Sequence, residues 1–111
     1  MIPLEQEVRL YYTSMGRFIG KEEVNKNSSK KDFHEIIDPC EIFEMPAGGG
    51  VSYAFNPMAT IMEGTSFTLR DRDCILILKA GKGFVEKYVA NLQVLVNAGM
   101  PCEQTKLILP T

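Results

Sequence analysis

Between residues 84 and 98 the apolar residues Val85, Tyr88, Val89, Leu92, Leu95 and Val96 recur every three or four positions. At 100° per residue they form one stripe. Glu86, Lys87, Asn91, Gln93 and Asn97 lie off it, as does Ala90. Val94 is the one sizeable apolar residue on the far side. Gly99 suits a left-handed cap and Pro101 forbids continuation, so the pattern predicts a helix that ends there.

Shorter patterns flank it. Cys74-Ile75-Leu76-Ile77-Leu78-Lys79 is a continuous apolar run of strand length, which predicts a strand buried on both faces. Lys106-Leu107-Ile108-Leu109 is a second such run, and strand, helix, strand in that order permits a parallel crossover. Ser66-Phe67-Thr68-Leu69-Arg70 alternates and leads through Asp71-Arg72-Asp73 into Cys74, which predicts a hairpin. Glu41-Ile42-Phe43-Glu44-Met45 and Val51-Ser52-Tyr53-Ala54-Phe55 flank Pro46-Ala47-Gly48-Gly49-Gly50 and predict another. Asn56-Pro57 stops that strand, and residues 58–63 fit either a helical turn or a strand.

The N-terminal segment fits two templates. Leu4, Val8, Tyr11, Tyr12, Met15, Phe18 and Ile19 follow helical spacing, with Pro3 and two early glutamates suited to a helix start. Val8-Arg9-Leu10-Tyr11-Tyr12-Thr13 is also good strand material, and Gly16 costs a helix about 1 kcal/mol. The helix is the expectation carried forward. Residues 21–32 hold one apolar residue, Val24, and so predict a mobile polar surface loop. The expected fold is α+β: a small, mainly antiparallel sheet with the C-terminal amphipathic helix on one face and an N-terminal helix completing the layer.

Length and charge narrow the function classes. The 111 residues accommodate a single domain over 1–111. Twelve basic and 14 acidic residues give a net charge of -2, without the basic excess that nucleic-acid binding favours. Lys21, Lys26, Lys30 and Lys31 follow Tyr11, Tyr12 and Phe18, but Glu22, Glu23 and Asp32 dilute that charge. No apolar run reaches the ~18 residues of a membrane span. The first residues carry neither the basic nor the apolar region of a secretory leader, and three unpaired cysteines fit a reducing compartment. The expected location is cytoplasmic.

Candidate chemistry is sparse. Gly81-Lys82-Gly83 stands between a strand and a helix, where free amides and Lys82 suit a small anion or nucleotide. Glu86 occupies the place of the third small residue of a dinucleotide fingerprint, and the Walker pattern is absent. Gly48, Gly49 and Gly50 suit a sharp turn or a close approach to a ligand, with Met45, Tyr53 and Phe55 as an apolar wall. His34, the only histidine, lies near Asp38 and Cys40. A Cys-His pair generates a thiolate nucleophile, and Cys40 after Pro39 suits an exposed turn, yet sequence neighbours seldom meet the required geometry. Cys40, Cys74 and Cys102 lack the paired spacing of a zinc site, and Cys74 is expected in the core. Arg70-Asp71-Arg72-Asp73 reads as a self-paired, solvated charge cluster.

No catalytic set, cofactor motif or metal motif emerges. The expectation is a small non-catalytic interaction protein whose partner is itself or another protein, because small domains gain stability by oligomerising. Six methionines suit an adaptable binding surface. A binder of a small anionic ligand at either glycine loop is the alternative, followed by a small enzyme that uses Cys40 or His34. Binding to nucleic acid or membrane is not expected.

Overall fold

The computed structural model describes residues 6–24 and 32–100. Along them run β1 (Gln6–Thr13), β2 (Gly16–Glu23), β3 (Phe33–Ala47), β4 (Gly50–Pro57), β5 (Ser66–Arg70), β6 (Cys74–Lys79) and α1 (Lys82–Asn97). Single 3₁₀ turns, Met58–Thr60 and Asp71–Asp73, precede β5 and β6. The strands form one antiparallel sheet in the order β4-β3-β2-β1-β6, with β5 also on β3. This is the α+β class expected, with sheet predominating.

The N-terminal helix is not there. β1 and β2 form a hairpin in register from Gln6↔Glu23 to Thr13↔Gly16. Thr13 Oγ1 closes the turn by donating to the Gly16 carbonyl (2.8 Å) and accepting from the Met15 amide (3.1 Å). Gly16 takes a φ of 141°, a conformation that glycine alone adopts freely. The strand prevails because both of its faces are covered. Val8, Leu10 and Tyr12 join the core beneath α1, while Tyr11 joins the core on the opposite face. β2 also takes Lys21, Glu22 and Glu23 from the stretch expected as loop, and Lys21 is fully buried. Residues 25–31 lie outside the described residues.

β3 is the spine. Its edge away from β2 carries two strands end to end: β5 along Phe33 to Ile37 and β4 along Cys40 to Ala47. Between them the chain steps through Asp38, whose φ is 51°, and the pairing with β2 shifts register opposite this step. The Asp38 amide donates to the Thr65 carbonyl at 2.7 Å. On the sheet's covered face, α1 buries Tyr88, Leu92 and Leu95. Full burial of such side chains stabilises by about 1.5–3 kcal/mol each. Tyr88 also donates its hydroxyl to the Asp38 carbonyl (2.7 Å), which ties the helix to the step in β3. Gly99, at φ 74°, ends α1, with Met100 N–H bonded to the Leu95 carbonyl and Gly99 N–H to that of Val96.

Two pairings differ from expectation. β5 and β6 are strands, but they do not form a hairpin, since β5 pairs with β3 and β6 with β1. The turn Asp71–Asp73 carries the chain between these sites. Together β1, β2, β3, β5 and β6 enclose a second core of Tyr11, Phe18, Ile36 and Leu69, with Phe67 and Ile77 packed against it. Phe18 and Phe67 meet edge to face, 5.3 Å between centroids. β6 is also not buried on both faces. The expected strand at Lys106–Leu109 lies outside the described residues.

Candidate functional site

Among the described residues β6 pairs only with β1, and no described strand lies along its other side. Ile75 is 76% exposed, Leu76 47% and Leu78 39%. An open row of amides and carbonyls flanked by apolar side chains is a template for pairing with another strand. Sheet edges are ordinarily blunted by proline, by lysine or by a bulge. β6 has no proline, one lysine at its far end, and a register shift only at its start, opposite Tyr12 and Thr13. The hairpin of β3 and β4 exposes a second apolar group of Phe43, Met45 and Val51.

A polar cluster lies on the face of the sheet that carries the second core. Glu22 is its hub: one carboxylate oxygen accepts from the Tyr11 hydroxyl (2.7 Å) and lies 3.2 Å from Arg9 Nη1. The other oxygen lies 2.9 Å from His34 Nδ1, and His34 Nε2 reaches Asp71 Oδ1 at 2.7 Å. Burial pulls the His34 pKa down, but hydrogen bonds to Asp71 and Glu22 outweigh it and the net shift is upward. Burial, reinforced by Glu22, pushes the Tyr11 phenol well up. Arg9 in turn holds Glu7 (2.8 Å) and keeps that carboxyl below its usual range. Every ring nitrogen of His34 is engaged by a carboxylate, so the cluster ties β2, β3 and the Asp71–Asp73 turn together. No group of three or more potential ligands suited to a metal ion occurs among the described residues.

His34 and Cys40 do not meet. Cys40 is not at an exposed turn; it sits within β3 under α1, completely buried, 3.7 Å from Asn91 Nδ2. Burial pushes its thiol up to about 12. Asp38 points to Lys21, with Nζ 2.8 Å from Oδ2. Cys74 is half-buried against the second core and donates to the Arg70 carbonyl at 3.5 Å. Arg70 pairs with Asp73 as expected (3.3 Å), whereas Asp71 turns to His34.

The glycine loops occupy separate elements. Gly48 and Gly49 form the exposed two-residue turn between β3 and β4 with φ of 50° and 84°, and Gly50 begins β4. Tyr53 and Phe55 do not wall that turn; both pack on Phe84 of α1, at 5.1 and 5.4 Å between centroids. Gly81 caps α1 without a side-chain hydrogen bond, and Lys82 and Gly83 are its first, exposed residues. A small hollow lined by Pro39, Pro57, Met62, Leu92 and Leu95 has room for about one water. No described helix is long and apolar enough to cross a membrane.

Sequence reasoning missed the Glu22–His34–Asp71 bridge and the place of β6 at the end of the described sheet. The first joins residues 12 and 37 positions apart and leaves no local signal. By composition β6 resembles a core strand. No protein-family model and no curated protein matches the chain.

Proposed function

We propose that this protein is a non-catalytic interaction module that associates with itself. The observation that carries the reading is β6, a strand of four successive apolar residues followed by Lys79, which stands at the end of the sheet among the described residues, with three of those apolar residues exposed. Burying such side chains against a second molecule is favourable by roughly 25 cal/mol per Å² of apolar surface removed from water. The described polar groups that the sequence singles out are engaged within the fold. His34, Glu22 and Asp71 engage one another, Lys21 and Asp38 engage one another, and Cys40 is sealed under α1.

Size-exclusion chromatography with light scattering tests this. The expected result is a mass that is a multiple of 12.4 kDa at micromolar concentration. A mass of one chain at every concentration would contradict the reading.

A further inference from the structure

We infer that His34 is a pH-operated latch on the turn between β5 and β6: its protonated ring fastens Asp71 to the sheet, and loss of the proton lets the turn go. The inference goes beyond self-association and does not rest on it. His34 Nδ1 lies 2.9 Å from a Glu22 carboxylate oxygen, and Nε2 lies 2.7 Å from Asp71 Oδ1. Only the imidazolium carries a donor on both nitrogens. In the neutral ring one nitrogen presents a lone pair to a carboxylate oxygen at hydrogen-bonding distance, and the two repel. One of the two contacts is therefore lost with the proton.

The surroundings decide which one. Glu22 is mostly buried, accepts from the Tyr11 hydroxyl and is held by Arg9. The Asp71 side chain is 60% exposed, and His34 is its only hydrogen-bonding or ion-pairing side chain among the described residues. The other charged and titratable groups nearby do not replace it. Tyr11, 6.3 Å away between ring centroids, gives its hydroxyl to Glu22, and Arg9 is divided between Glu7 and Glu22. Arg70 pairs with Asp73, and the Cys74 thiol donates to the Arg70 carbonyl. The neutral ring therefore keeps its proton on Nδ1 for Glu22, and Asp71 swings into water. The Asp71 amide remains bonded to the Asp32 carbonyl (2.8 Å), which confines the release to the turn. What loosens is the bond that closes the turn, from the Cys74 amide to the Asp71 carbonyl. The two carboxylates outweigh desolvation and raise the His34 pKa above 6.5, so the latch opens on the alkaline side of that value.

NMR of the full chain between about pH 6 and pH 9 tests this, following the His34 ring together with the exchange protection of the Cys74 amide, corrected for base catalysis. Protection at Cys74 should fall about tenfold with the midpoint of the His34 titration. The Ala80 amide, bonded to the Val8 carbonyl, should keep its protection. Asp71→Asn alters an exposed side chain and so retains the fold; it should move the His34 titration to lower pH and abolish the step at Cys74. His34→Gln should leave Cys74 poorly protected at every pH. A His34 titration that leaves Cys74 protection unchanged would overturn the latch, as would a step that survives Asp71→Asn at the same midpoint. Equal losses at Cys74 and Ala80 would mean that the whole sheet opens, and would overturn it too.

Discussion

Lys21 and Asp38 form an ion pair sealed within the protein, with Nζ 2.8 Å from Oδ2 and side-chain exposures of 0% and 2%. Asp38 occupies the left-handed step of β3, and its carbonyl accepts from Tyr88. The pair therefore lies where β2, β3 and α1 converge. Removing one partner leaves a buried charge alone, at a cost of about 3–5 kcal/mol. Lys21→Met and Asp38→Asn should each destabilise by this order in urea denaturation. The double variant should cost less than the sum, because neither charge is then stranded. Additive losses would show that the two do not act as a pair.

Gly20 admits no side chain. A methyl group built there would run into Ile36 Cγ2 and come within 3.3 Å of the Ile37 carbonyl oxygen, which is backbone and cannot move aside. Gly20→Ala should cost about 1–3 kcal/mol. Gly83, in the first turn of α1, has nothing within 4 Å of the same position. Gly83→Ala should leave stability unchanged or raise it by up to about 1 kcal/mol. Chemical denaturation of both variants checks the contrast.

His34 makes stability depend on pH in a definite direction. Its folded pKa is raised above the ordinary 6.5, because the protonated ring is held by Asp71 and Glu22. The contribution is therefore complete below 6.5 and fades as the pH climbs through the higher folded value. His34→Asn should remove that slope, so the stability gap between the parent chain and the variant narrows from pH 5.5 towards about pH 9. A gap that widens with pH would mean that the ring is held neutral.

The two described cysteines should differ in reactivity. Cys40 is buried with its thiol pushed up to about 12, while Cys74 is partly accessible, although burial and Asp71 also raise it. With Cys102→Ser, Cys40 should react with a thiol reagent at pH 8 about a hundredfold more slowly than Cys74. Comparable rates would put Cys40 outside the core.

These relationships were unevenly legible in the chain. α1 was readable because Tyr88, Leu92 and Leu95 sit on one stripe opposite polar residues. The hairpin of β3 and β4 was readable because Gly48 and Gly49 supply positive φ at its turn. β1 misleads because a strand covered on both faces loses its alternation, and Val8, Tyr11 and Tyr12 then also satisfy helical spacing. β6 misleads because a run of isoleucine and leucine looks the same in a core as at an edge. Lys21 gives no hint of burial within a polar stretch, since its partner is supplied by the fold.

The central claim is that the chain joins itself through β6. Multi-angle light scattering of the parent protein and of an Ile75→Lys/Leu78→Lys variant, across a concentration series, tests it most directly. Two added lysines on each edge should repel and forfeit apolar burial, so the parent is expected as a dimer of the 12.4 kDa chain and the variant as a folded monomer. A monomeric parent, or a variant that dimerises as well as the parent does, would contradict the account.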